Sequence, residues 1–130
     1  MDRPEWDGYF SAIAQMVATR GECTRSLVGA VLVKDRRIRA TGYNGAPTGA
    51  PSCLEGHCPR AWSNVEPGSS YDTGAGACIA IHAEANVLLY ARREDCEGGT
   101  LYVTREPCNG CSRLIAGAGI ARVVVAPESI

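Results

Sequence analysis

A histidine and a pair of cysteines, carried on two separate stretches, restrict what this chain can fold into more than anything else in it. His82-Ala83-Glu84 and Pro107-Cys108-Asn109-Gly110-Cys111 together offer one imidazole and two thiolates. That is a three-ligand set for zinc which leaves the fourth tetrahedral position open to a water. A fold that uses all three must bring both stretches to one point. If Cys108 and Cys111 open a helix, their i, i+3 spacing puts both sulfurs on one face, and the exposed N–H groups of that helix start favour thiolates. His82 and Glu84 then occupy the first turn of a second helix, where the same dipole favours the carboxylate. Two helix starts facing one cavity are expected, with His82, Cys108 and Cys111 on the metal and Glu84 beside the open position as proton carrier. Two other readings of these residues stay open. One is a closed structural cluster with Cys78 as fourth ligand and Glu84 a helix cap. The other is a dithiol redox pair, which leaves the His-x-Glu element without a role.

The rest of the chain supplies a scaffold of alternating elements. From Glu5 to Thr19, the residues Trp6, Tyr9, Phe10, Ile13, Ala14, Met16 and Val17 recur at helical spacing and predict an amphipathic helix. Leu27 to Val33 and Ile38 to Thr41 flank a short charged turn and predict a hairpin. The loop Thr41-Gly42-Tyr43-Asn44-Gly45-Ala46-Pro47 leaves its second strand. Residues 46–77 show little periodicity and many Gly, Pro and Ser, a long loop insertion of the kind that usually has a purpose. One helix is expected from His82 through Arg92-Arg93-Glu94-Asp95, with its arginines at the C-terminal end. A strand at Thr100 to Thr104, a helix from Cys108 to Gly119 and a last strand from Ile120 to Ala126 follow. That strand is β-branched and reads as buried on both faces. This order predicts an α/β sandwich with both ligand pairs at strand ends, where open α/β folds place their sites.

Composition narrows the partners. At 130 residues the chain is expected to form a single domain, 1–130. Its 13 Lys+Arg against 14 Asp+Glu, a formal net charge of -1, give no footprint for a polyanion, which disfavours nucleic acid and suits a small-molecule substrate. The polar start Met1-Asp2-Arg3-Pro4-Glu5-Trp6 is unlike a secretory signal, and no apolar run approaches the roughly 20 residues of a membrane span. A cytoplasmic location without membrane contact is expected. Seven cysteines, an odd number, suit metal ligation or burial better than a disulfide framework.

The pairing H-x-E with P-C-x-x-C is a known signature, and on it the chain resembles the zinc-dependent nucleobase and nucleotide deaminases. Within them it is most similar to the deoxycytidylate (dCMP) deaminases. Val28-Gly29-Ala30-Val31-Leu32-Val33-Lys34-Asp35, Thr41 to Gly49, His82-Ala83-Glu84-Ala85-Asn86 and Leu101-Tyr102-Val103-Thr104 carry the likeness, with the start Trp6-Asp7-Gly8-Tyr9-Phe10. The resemblance implies a cytidine deaminase-like three-layer sandwich, a mixed central sheet with helices on both faces. It implies hydrolysis of dCMP to dUMP and ammonia by a zinc-activated hydroxide, with Glu84 shuttling protons. It also implies that Asn44 contacts the sugar, that Arg25 helps with the phosphate through its guanidinium fork, and that Tyr43 and Ala83 contribute to substrate binding. Taken alone, Asn44-Gly45 reads as a turn and Arg25 as a solvated arginine after a helix.

Some members of the family use a matching insertion for a second, structural zinc. Here Cys23, Cys53, His57, Cys58 and Cys78 are five candidates for its four ligands, and buried thiols are the competing reading. Deaminases of another base or nucleoside (cytidine, adenosine in tRNA, guanine) share the signature, and a noncatalytic zinc-binding interaction module is the rival from another class. The Tyr43 to Pro47 loop and the balanced charge speak against the tRNA type. Two departures matter. Cys78 is followed by Ile79 where many members have an arginine, which bears on phosphate binding or regulation. The chain also ends at Glu128-Ser129-Ile130 where members usually continue, so either it is truncated or a second copy covers the last strand in a homo-oligomer.

Overall fold

A computed structural model describes residues 2–23, 26–47 and 80–126. In chain order the elements are α1 (Trp6–Ala18), β1 (Gly29–Lys34), β2 (Arg37–Tyr43), α2 (Ala83–Tyr90), α3 (Arg93–Cys96), β3 (Thr100–Val103), α4 (Asn109–Gly117) and β4 (Arg122–Val125). The strands form a sheet in the order β2-β1-β3-β4. β1 runs antiparallel to both β2 and β3, whereas β3 and β4 are parallel. The sheet is therefore mixed, as expected.

Central β1 decides the layering, because alternate side chains point to opposite faces of a sheet. Val31 and Val33 pack with Phe10 and Ala14 of α1 and with Tyr102. Ala30 and Leu32 pack on the other side with Ala83 and Val87 of α2, Cys96, Leu101, Val103 and Ile115 of α4. Helices thus cover both faces. Val31, Leu32, Leu101 and Val103 are completely buried, each worth about 1.5–3 kcal/mol relative to exposure. Two glycines let the helices lie this close. A Cβ at Gly29 would stand 2.3 Å from the Ala14 carbonyl oxygen of α1, and one at Gly42 would stand 2.6 Å from that of Ala83 in α2.

The structure departs from the sequence pattern in three places. α1 buries Phe10, Ala14 and Ala18, an i, i+4, i+8 stripe, and leaves Trp6, Tyr9 and Met16 about half exposed. The helix expected from His82 to Asp95 is two helices, because Ala91 and Arg92 are extended (ψ 152° at each). A continuous helix would carry Cys96 about 13 Å beyond Val87, whereas the break returns Cys96 to the core that Val87 already enters. The arginines consequently do not complement the end of α2. Arg92 occupies the N-cap position of α3 without a side-chain bond to it, and Arg93 pairs with Glu97 at 2.7 Å. Finally, β4 is not buried on both faces: Val124 packs towards α1, while Val123 and Val125 are 41% and 44% exposed. An aliphatic run looks the same whether a strand is central or at the edge, and β4 is an edge.

Candidate active site and metal centre

The Asn44 segment, the start of α2 and the start of α4 converge at one end of the sheet. Gly45 and Ile81 exchange both backbone hydrogen bonds (3.1 and 2.7 Å), which sets His82 beside the loop that leaves β2. His82 is the N-cap of α2, and no side-chain bond caps that helix. Its ring turns instead to the start of α4, with Nδ1 3.6 Å from Cys108 Sγ and 3.4 Å from Cys111 Sγ. Cys108 is the N-cap of α4, and its sulfur accepts from the Cys111 backbone N–H at 3.4 Å. Both sulfurs are free thiols.

The donor set fits zinc. His82, Cys108 and Cys111 offer ligand atoms within 4.8 Å of one another, and among the described residues this is the cluster that could hold a metal ion. Bonds of 2.0–2.3 Å in tetrahedral geometry place ligand atoms roughly 3.5 Å apart, the spacing seen here between the imidazole and each sulfur. Burial, then the neighbouring Glu84 carboxylate and Cys108, push the Cys111 thiol far above the usual thiol range. A divalent cation between these groups reverses that penalty by supplying the missing positive charge.

Beside the cluster lies a cavity of about 200 Å³ whose lining includes Asn44, His82, Ala83, Glu84 and Cys108. Glu84, in the first turn of α2, is 4% exposed, so the carboxylate is shielded from bulk water yet faces the space next to the ligands. Ala83 is the first residue of α2, where a backbone N–H has no partner within the helix. Asn44 is buried and doubly held: its Oδ1 accepts from Val28 N–H at 2.9 Å, and its Nδ2 donates to the Ser26 carbonyl at 2.7 Å. Glu22 steadies the same loop, donating its N–H to the Asn44 carbonyl and accepting from Ala46 N–H.

His82, Glu84, Ala83, Asn44, Cys108 and Cys111 are thus brought together. Tyr43 is not among the cavity-lining residues; its carbonyl accepts from Asn86 Nδ2 at 2.8 Å. Arg25, Cys53, His57, Cys58, Cys78 and residues 48–77 of the long loop lie outside the described residues. Cys23 is buried and lines the cavity. The sequence pattern gave no role to Asn86, which ties the end of β2 to α2. A carboxamide one turn into a largely apolar helix was the available signal. Nor did it give one to Arg105 and Ser26, which meet at the cavity only because the pairing of β3 with β1 brings the segment after β3 against the segment before β1.

Residues 4–127 match the model of the cytidine and deoxycytidylate deaminase zinc-binding region. The chain belongs to this family. It is 61% identical over 130 residues to the deoxycytidylate deaminase of Mycobacterium phage D29, covering 99% of this chain and 100% of that one. To the deoxycytidylate deaminase of Schizosaccharomyces pombe it is 46% identical, covering 94% of this chain but 37% of the longer yeast protein. Among solved structures it is similar to the dCMP deaminase of cyanophage S-TIM5 in complex with dCMP and dUMP, with a TM-score of 0.67 and 26% identity over 95% of this chain and 82% of that one. Family membership points to zinc as the metal that the His82, Cys108 and Cys111 cluster could hold and agrees with the three-layer sandwich on which the cluster is built. Among the described residues no helix is long and apolar enough to cross a membrane.

Proposed function

We infer that the chain is a zinc-dependent hydrolase that converts dCMP to dUMP and ammonia. One observation carries this reading: 61% identity along the full length of a phage deoxycytidylate deaminase. The site has the parts the reaction needs. Zinc, when bound, lowers the pKa of a water it holds from 15.7 to about 7. Glu84, which lines the cavity beside the cluster, would take one proton from the attacking water and deliver it to N3 of the pyrimidine as the water oxygen adds at C4. Glu84 would then move the remaining proton of the new C4 hydroxyl to the amino group, so that the C4 carbonyl forms as the C–N bond breaks and ammonia leaves. Asn44, fixed by Ser26 and Val28, presents a rigid carboxamide to the sugar, Ala83 offers its backbone N–H, and Arg25 is the further substrate contact proposed from the family, whereas Tyr43, away from the cavity lining, acts through the Asn86 tie at its carbonyl. The match over residues 4–127 supports one deaminase domain. Cys96, Cys108 and Cys111 are thiols rather than halves of disulfides, which suits a reducing, cytoplasmic setting. The half-exposed Val123 and Val125 on the β4 edge support association of copies of the chain, because an open apolar edge favours pairing.

The test is to follow ammonia release from zinc-loaded protein given dCMP, dCTP, cytidine, deoxycytidine, adenosine or guanine. Turnover with the highest kcat/KM on dCMP is expected. A preference for another member of the panel moves the substrate, and silence across all of it returns the chain to a noncatalytic zinc module. Sedimentation velocity should give a mass above that of one chain, and Val123→Lys with Val125→Lys should lower it.

A further inference from the structure

The cavity has a polar rim that the proton chemistry leaves unused. β3 runs antiparallel to β1, so the residues that leave β3 lie against those that enter β1. Thr104 locks this junction, donating its N–H to the Gly29 carbonyl at 3.0 Å and accepting from Gly29 N–H at 3.1 Å through Oγ1. The next residue, Arg105, reaches across to Ser26, its Nη1 donating to the hydroxyl oxygen at 3.0 Å. Both residues line the cavity, which Asn44 and Glu84 also line.

Charge gives this contact its meaning. Among the described residues lining the cavity, Glu84 and Glu106 are carboxylates and Arg105 is the one lysine or arginine. A nucleotide monophosphate brings up to two further negative charges to that space, and two acidic side chains repel it unless a cation stands at the entrance. Arg105 is exposed at the solvent end of the lining, and the Ser26 bond uses one of the five N–H donors of a guanidinium. The remaining fork suits two oxygens of one phosphate.

We propose that Arg105, positioned by Ser26, reads the 5′-phosphate of the substrate and thereby sets the preference for a cytosine nucleotide over its nucleoside. This rests on the dCMP reading above. Because the phosphate is remote from C4 and keeps its charge throughout the reaction, the contact stabilises bound substrate and transition state alike, and its loss appears in KM rather than kcat.

The experiment compares wild type, Arg105→Ala, Arg105→Lys and Ser26→Ala, all zinc-loaded, on dCMP and on deoxycytidine. Arg105→Ala should raise KM for dCMP by about 10- to 100-fold, the loss of a hydrogen bond to a charged group, with kcat little changed and deoxycytidine kinetics unaltered. Arg105→Lys should recover part of the loss, and Ser26→Ala should show a smaller shift of the same kind. An unchanged KM for dCMP, or an equal loss on both substrates, overturns the role of Arg105 while leaving wild-type dCMP deamination intact. A wild-type enzyme that turns over deoxycytidine but not dCMP overturns the substrate reading, and Arg105 with it.

Discussion

The Glu84 carboxylate is 4% exposed at the first turn of α2 and lies two residues beyond His82, which places it next to the metal ligands without making it one of the clustered three. Glu84→Gln keeps the shape and removes the titratable group. Its kcat on dCMP should fall by at least about 10²–10⁴-fold, with the zinc-to-protein ratio by elemental analysis equal to wild type; near-normal turnover in that variant would remove Glu84 from the mechanism. Asn86 acts at one remove. Its Nδ2 holds the Tyr43 carbonyl at 2.8 Å, so Asn86→Ala leaves a half-buried acceptor unpaired and should lower stability by about 1 kcal/mol. Urea unfolding midpoints of the two proteins check this.

Between elements, contact distance governs. α2 lies so close on β2 that a methyl at position 42 meets the Ala83 carbonyl oxygen at 2.6 Å and the Val87 nitrogen at 2.8 Å. Those are backbone atoms that cannot swing aside. Gly42→Ala should therefore cost about 1–3 kcal/mol and, by displacing the helix that carries His82 and Glu84, lower kcat; an unaltered melting temperature would contradict the packing. On the opposite face Asp7 of α1 accepts from Tyr102 of β3 at 2.6 Å and from both terminal nitrogens of Arg122 of β4. The Arg122 bonds, then the Tyr102 bond, hold the Asp7 carboxyl below its ordinary value. A depressed carboxylate stabilises the fold fully above the unfolded value of about 3.9 and loses that contribution as pH falls through the folded value. Tyr102 is pushed up from 10.0 to about 12, by burial first and then by Asp7, so its neutral hydroxyl holds until pH climbs from 10 towards 12. Asp7→Asn should be less stable than wild type at neutral pH, with the gap in urea midpoints closing as pH drops below about 4. A gap that does not change with pH would show that ionisation of Asp7 contributes nothing.

For the molecule as a whole, the ligands come from two helix starts that touch only in the folded state. Metal binding and folding are therefore linked. Removing zinc with a chelator should lower the melting temperature, and adding zinc back should raise it further as free metal increases, by RT ln(1 + [L]/Kd). A melting temperature indifferent to zinc would dissociate the cluster from the fold. Cys111→Ala, which removes a buried ligand, should abolish that dependence.

Local chemistry was legible in the chain itself. The i, i+3 cysteines and the His-x-Glu element mark out a donor set suited to zinc with a carboxylate beside it, because ligand type and helical spacing are properties of the residues. The hairpin, α1 and the helix after Pro107 follow from periodicity and turn residues for the same reason. What the chain could not disclose depends on neighbours far away in sequence. The break at Ala91 follows from the need to return Cys96 to the core, and the exposure of Val123 and Val125 from β4 standing at the edge of the sheet. The meeting of Arg105 with Ser26 follows from the antiparallel pairing of β3 with β1. Residue type sets which bonds a side chain can make, and only the assembled sheet decides which partners come within reach.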